Sequence, residues 1–267
     1  MQKEVLPIQD LSHDLRALGL TAGDGVFVHA SLRAVGPVVG GARAVIAALF
    51  NVVGAKGVIV MPGFSNDAYF PEDHDRAELT PEEINAIEAR VPGFDPATSP
   101  AHGMGAIAET FRTWPGTRRS PHPTTSVCAN GAGAEQLTAE HPPSWATGAD
   151  SPFGKLMQRP NTKILLVGVG WNQCTALHTG EFFAAPRRTK RRRFKTGPGN
   201  SPWQETLDVA DDNNRLFPDV GAAFEGSGAV SLGKLGQADC RLCDYAGLVD
   251  FSANWFSTAN AASGDRS

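Results

Sequence analysis

The chain is 267 residues long and 41% hydrophobic, enough for a sizeable core in one large domain or two small ones. It carries 24 Lys and Arg against 28 Asp and Glu, a formal net charge of −4 that excludes a globally basic nucleic-acid binder. No apolar run reaches the roughly 20 residues that span a bilayer, and its four cysteines are too few for a disulfide framework.

Residues 1–15, MQKEVLPIQDLSHDL, show no secretory apolar region before acidic residues appear, so the expected location is the cytoplasm. Leu11, Leu15 and Leu18 recur at helical spacing, with Ser12 as the expected cap and Gly19 as the stop. Residues 25–29 read as a short buried strand, 43–53 as an Ala- and Leu-rich helix, and 58–61 as a second strand ended by Pro62 and Gly63. Strand, helix and strand in this order predict a βαβ unit with a parallel pair.

Residues 64–100 lapse into acidic, proline-rich sequence, with one helix capped by Thr80 and started by Pro81. An irregular stretch of this length predicts a substrate lid. Helices are expected at 104–111, 132–140 and 152–157, the clearest buried strand at 164–169, and a helix from about 174 to 183. Then come a basic run at 187–195, a polar hairpin-like region and an amphipathic segment at 220–224. The small, polar residues 257–267 predict a frayed tail. The expected organisation is one α/β domain over 1–267, with a central mixed or mainly parallel sheet flanked by helices and an inserted acidic lid at 64–100.

The strongest local constellation is His178 and Glu181, three apart after the buried strand and so on one helical face. A carboxylate beside an imidazole orients the ring and raises its basicity, as general-base catalysis requires. Cys174 falls on the same stripe, which leaves a cysteine nucleophile or a metal ligand as alternatives, though no zinc-type pattern accompanies it. Cys240 and Cys243 form a lone CxxC without the second pair a zinc ribbon needs, so no metal is expected.

Arg118, Arg119, Ser120, His122 and Thr124 to Ser126 combine arginine forks, hydroxyls and a proline frame that suit phosphate or pantetheine, or else form a polar surface loop. His29, Ser31 and Arg33 follow the first strand in a small-residue turn that offers amides to an anionic or carbonyl-bearing ligand. The basic run has seven Lys or Arg in nine positions but one aromatic, Phe194, so a solvated loop or a cofactor-phosphate patch is a simpler account than a nucleic-acid site. Asp67, Glu72, Asp73, Asp75 and Glu78 crowd the expected lid, and Asp208, Asp211 and Asp212 gather later. The small net charge thus reads as the sum of two opposed regions, one suited to a phosphate-bearing cofactor and one to a polycation.

With these pieces in order, the sequence resembles the aminoglycoside 3-N-acetyltransferase family, antibiotic acetyltransferases distinct in fold from the GNAT superfamily. The resemblance runs from about residue 18 to 249. It includes VHASLR at 28–33, FDPATSP at 94–100, GAIAETFR at 105–112, RSPHP at 119–123, Ser126-Val127, Ser151-Pro152, LLVGVG at 165–170, and Leu177, His178 and Glu181. It implies acetyl transfer from acetyl-coenzyme A to the 3-amino group of an aminoglycoside, conferring resistance, with His178 as general base and Glu181 orienting it. It places Ser31, Leu32, Arg33, Arg119, Ser120, His122, Ser126 and Val127 on the coenzyme, and Asp67, Asn172 and Glu225 toward the antibiotic. Two small molecules are the implied partners, with no nucleic acid, membrane or metal, in a monomer or homodimer. Where the family commonly has Asp and Asn, this chain has Asn172 and Cys174. That departure keeps open a same-fold acyltransferase acting on a different small amine or acyl donor.

Overall fold

The computed structural model describes residues 5–71 and 76–264. Glu72, Asp73 and Asp75 of the acidic cluster, and the side chains of Asp211 and Asp212, lie outside the described residues. The first helix, α1 (Ile8–Leu18), buries Leu11, Leu15 and Leu18 on one face and ends at Gly19, whose φ of 113° no β-carbon residue adopts readily. Ser12 is not its cap. The helix begins a turn earlier, after Pro7, and the Ser12 hydroxyl donates back to the Ile8 carbonyl at 3.0 Å.

Strand β1 (Gly25–Ala30) leads through the short α2 (Leu32–Val35) to α3 (Gly41–Val53) and then β2 (Val58–Pro62), which pairs parallel to β1 as the βαβ order predicts. Helices α4 (Pro81–Glu88) and α5 (Gly105–Arg112) precede the edge strands β3 (Arg118–Arg119) and β4 (Val127–Gly131). Helices α6 (Ala134–Thr138) and α7 (Pro152–Gln158) lead to β5 (Thr162–Val167), followed by α8 (Ala176–Phe183). A separate two-stranded sheet is built from β6 (Thr189–Lys195) and β7 (Trp203–Val209). The chain closes with α9 (Phe217–Gly226), the hairpin β8 (Val230–Leu235) and β9 (Ala238–Asp244), and α10 (Tyr245–Gly264).

The main sheet has seven strands in the order β3-β4-β2-β1-β5-β9-β8. It is mixed: β2, β1 and β5 run parallel at the centre, and antiparallel strands extend both edges. The central strands are apolar almost throughout because both faces are covered. Val26, Val28, Met61, Leu165 and Val167 enter one core with α1 and α3, whereas Phe27, Val60, Ile164 and Leu166 enter a second with α7 to α10.

Three expectations change. The run 187–195 is no solvated loop, since residues 189–195 form β6 and its cations meet carboxylates or carbonyls: Arg192 Nε lies 2.9 Å from Asp208, Arg191 2.6 Å from Glu205, and Arg193 2.5 Å from Glu88 at the end of α4. Lys195, buried, donates to the Val91 carbonyl at 2.6 Å. The 64–100 segment is therefore pinned to this small sheet, with Ala68, Phe94 and Phe194 as a core of its own. Its helix starts as predicted, in a capping box between Thr80 and Glu83.

The second change is the β8–β9 hairpin, which the sequence reading passed over. The third is the expected frayed tail, which is helical through Gly264. Tertiary ties hold it: the Ala185 amide donates to Ser257 at 2.9 Å and Asn260 donates to the Pro186 carbonyl at 2.9 Å. Among the described residues no helix is long and apolar enough to cross a membrane.

Phe27 sits at the centre of the second core, fully buried, its ring 5.7 Å from Phe153 and 6.4 Å from Tyr245. Truncation leaves a ring-sized cavity, so Phe27→Ala is expected to cost about 3–5 kcal/mol in urea unfolding; a loss under about 1 kcal/mol would contradict this packing.

Candidate active site

The carboxyl ends of β1, β2 and β5 emerge on one side of the sheet, where a crevice forms in α/β folds. β5 feeds a short turn at 171–173 and then α8, which carries His178 and Glu181 on one face. His178 Nδ1 lies 2.6 Å from Glu181 Oε2, with side-chain exposures of 20% and 6%. A carboxylate only accepts, so Nδ1 donates to it, and in the neutral ring Nε2 holds the lone pair. Phe217 of α9 holds the ring edge-on at 4.8 Å. α8 is seated by close approach to α10: a β-carbon at Gly180 would stand 2.0 Å from the Ser252 hydroxyl.

A cavity of about 190 Å³ opens at His178, bordered by Phe64, Tyr69, His102, Thr147 and Thr175. Met104, just before α5, is shared with a larger cleft of about 780 Å³ that Ser31, Leu32 and Arg33 line. His29 borders the same cleft; its Nε2 is buried with no partner among the described residues, and burial pushes its pKa down to about 3. The Ser31 hydroxyl caps α2 by accepting from the Ala34 amide at 3.3 Å, and its own amide donates to Val167 at the end of β5. On the outer side, Asn66, Tyr69 and His102 are shared with a third cavity of about 530 Å³, lined also by Asp67, Phe70 and Arg90.

The other expected coenzyme contacts do not line that cleft; they brace its walls. Ser120, His122, Ser126 and Val127 are fully buried. Ser120 Oγ accepts from the Val127 amide and meets His141 Nδ1, each at 2.9 Å. Ser126 donates to the Gly63 carbonyl at 2.6 Å and accepts from Arg119 Nε at 3.0 Å. The Arg119 guanidinium also donates to the Gly63 and Ser99 carbonyls, and it stacks 4.7 Å from the Phe94 ring. His122 Nδ1 accepts from the Thr125 amide at 3.0 Å, shaping the loop that brings Thr124 and Thr125 to the His178 cavity.

Of the residues expected toward the antibiotic, only Asp67 reaches these cavities. Asn172 is exposed in the turn before α8 and borders none of the three. Glu225 accepts from Trp171 Nε1 at 2.6 Å and from Arg241, tying α9 to the turn and to β9. Burial works to raise the Glu225 carboxyl, but these hydrogen bonds outweigh it and hold the pKa below the usual value. Cys174 is no nucleophile: burial pushes its thiol up to about 12, so it stays protonated at neutral pH. Cys240 and Cys243 point into opposite cores from β9, and among the described residues no three His, Cys, Asp or Glu groups gather to hold a metal.

Residues 27–257 match the family model described as aminoglycoside 3-N-acetyltransferase. This chain belongs to that family. Its members are acyltransferases, and this chain is an enzyme of that class. It is 36% identical to the SPbeta prophage-derived aminoglycoside N(3')-acetyltransferase-like protein YokD of Bacillus subtilis (strain 168), over 93% of this chain and 91% of the relative. Among solved structures of the family, it is similar to AAC-IIIb in a binary complex with CoASH, at 32% identity and a TM-score of 0.85, over 96% of this chain and 98% of that one. It is equally similar to AAC-VIa bound to sisomicin, at 33% identity and a TM-score of 0.84, over 96% and 99% of the two chains.

Sequence reasoning missed His102, Thr147 and Thr175 in this acetyltransferase cavity. His102 had one local signal: it stands between prolines and glycines directly before a helix, the setting of a turn that projects its side chain.

The braced histidines make stability depend on pH. Burial lowers His29 to about 3, His122 to about 4, and His141 well below its usual value, whereas all three protonate near 6.5 when unfolded. Below pH 6.5 the unfolded chain therefore binds more protons, and stability present above that pH is lost as pH falls. At pH 5, still above the usual carboxylate range, His29 and His122 each withdraw about 2 kcal/mol. Urea unfolding at pH 7 and pH 5 is expected to show that drop, and equal stability at the two values would refute it.

Proposed function

We propose that this chain transfers the acetyl group of acetyl-coenzyme A directly to the 3-amino group of an aminoglycoside within a ternary complex, and so confers resistance. The observation that carries this reading is the His178–Glu181 pair at the inner cavity, which shares Met104 with the large cleft. A base placed there can face an amine from one side and a thioester from the other.

The large cleft suits the coenzyme. It is lined by the β1–α2 turn and bordered by the buried His29, whose Nε2 has no partner among the described residues. Ser31 and Leu32 would line the pantetheine, with the Leu32 amide as a donor, and the exposed Arg33 would meet its phosphates. The coenzyme supplies the activated acyl group. His178 Nε2 accepts a proton from the amine as the nitrogen attacks, and Glu181 holds the imidazolium that forms. Arg119, Ser120, His122, Ser126 and Val127 act on this reading by fixing the β3–β4 wall and the Thr124–Thr125 loop rather than by touching the coenzyme.

Asp67 and the 64–100 segment would form the antibiotic-facing wall, with the carboxylate opposite an ammonium group. A cytoplasmic location fits the supply of acetyl-coenzyme A. A second reading, acylation of a different small amine, is favoured by exposed Asn172 in place of the family's Asp and by the compensated Arg192–Asp208 pair at the inner cavity.

Thiol release from acetyl-coenzyme A across a panel of aminoglycosides and simple amines separates the two readings. For whichever acceptor works, His178→Ala is expected to lower kcat by about 10²–10⁴-fold and Glu181→Gln by less. Undiminished turnover in His178→Ala would remove this histidine from the mechanism, and NMR of the product fixes which amine is acetylated.

A further inference from the structure

An aminoglycoside amine arrives as an ammonium ion, and its acetylation must move two protons. The C–N bond forms, the C–S bond breaks with its electron pair leaving on sulfur, and the amide keeps a single N–H. One proton ends on the thiolate sulfur, and the other must reach solvent. The His178–Glu181 pair is largely buried, so it is placed to pass the first of these to sulfur but poorly placed to release the second.

A second imidazole–carboxylate pair faces the same space. His102 borders both the His178 cavity and the outer cavity, and its Nδ1 lies 3.9 Å from Asp67 Oδ1. Its side chain is 48% exposed against 20% for His178, so it looks into the site on one side and into water on the other. The His102 amide donates to the Phe64 carbonyl at 3.0 Å, which fixes the turn between the 64–71 segment and α5. The charged and titratable groups around it are Asp67 and Tyr69 from that segment, Arg90 after α4, His178 from α8, and Arg192 with Asp208 from β6 and β7. The last two are paired at 2.9 Å, which leaves Asp67 as the counter-charge beside an imidazolium at His102.

We propose that His102 is a second catalytic base, which takes the solvent-bound proton from the incoming ammonium group and releases it to water, with Asp67 as its positioning carboxylate. The proposal rests on the acetyl-transfer reading above and divides its chemistry in two. His102 generates the free amine, and His178 takes the remaining proton during attack.

The division predicts a pH signature that a packing role would not give. In profiles of kcat/KM for the acceptor from pH 5.5 to 9, His102→Gln is expected to lose roughly tenfold or more at pH 6. The variant should rejoin the wild type above the pKa of the amine, where the acceptor arrives already deprotonated. Asp67→Asn follows the same course more weakly, while His178→Ala stays depressed at every pH. In histidine-selective NMR, the acceptor alone, without coenzyme, should shift the His102 resonance. A loss in His102→Gln that is constant across pH, a profile that overlays the wild type, or an unshifted resonance each overturns the role of His102. If the wild type acetylates an aminoglycoside and His178→Ala does not, that failure is confined to His102. If the wild type turns over no amine, both readings fall together.

Discussion

A carboxylate with only 5% of its surface exposed is costly unless it is paired, and Glu181 answers that constraint with the His178 imidazole. Its other oxygen is buried without a partner among the described residues, so the charge rests on its hydrogen bond with the ring. The arrangement works only if α8 cannot shift. Gly180 lets α10 come within a hydroxyl's reach, Phe217 closes the ring from the α9 side, and Phe256 backs Phe217 at 6.0 Å. The C-terminal third of the chain is thus the rear wall of the His178–Glu181 pair.

The front wall obeys a different rule. Three parallel strand ends open the crevice, and the loops that follow must be held in place around it. Buried side chains do that work. Arg119 collects the Gly63 and Ser99 carbonyls, Ser126 and Ser120 clamp β4 to its neighbours, and His122 accepts the turn that offers Thr124 and Thr125 to the cavity. Burial holds both imidazoles toward the neutral form, so His122 can accept the Thr125 amide and His141 can donate to the Ala146 carbonyl without adding a cation to the site.

Much of this was legible in the sequence, and the exceptions have physical reasons. The parallel centre was readable because strands covered on both faces must be continuously apolar, as 25–29, 58–61 and 164–169 are. His178 and Glu181 were readable because helical spacing alone puts them side by side. The β8–β9 hairpin was not: β8 is an edge strand whose Ser231, Leu232 and Lys234 face solvent, so it lacks an apolar signature. Residues 257–264 look frayed because the bonds that hold them, Ser257 to Ala185 and Asn260 to Pro186, span more than 70 residues of chain. The cluster at 118–127 has the composition of a phosphate site, but composition cannot say which groups bond within the protein, as Arg119, Ser120 and Ser126 do.

The charge distribution shows the same limit from another side. A near-neutral chain with a basic run and separate acidic clusters suggests two opposed binding surfaces. In the fold, Arg191, Arg192 and Arg193 meet Glu205, Asp208 and Glu88, so much of that segregation is spent internally, fastening the 64–100 segment and β7 to β6. Ion pairs of this kind add modestly to stability where they are exposed, but they fix geometry where they are not. Arg192 and Asp208, with side-chain exposures of 14% and 3%, border the His178 cavity as a compensated pair. At the outer cavity the Asp67 carboxylate stands 3.9 Å from the His102 imidazole. The charges that the sequence presents in bulk, Arg191 to Arg193 with their carboxylates, are therefore largely architectural.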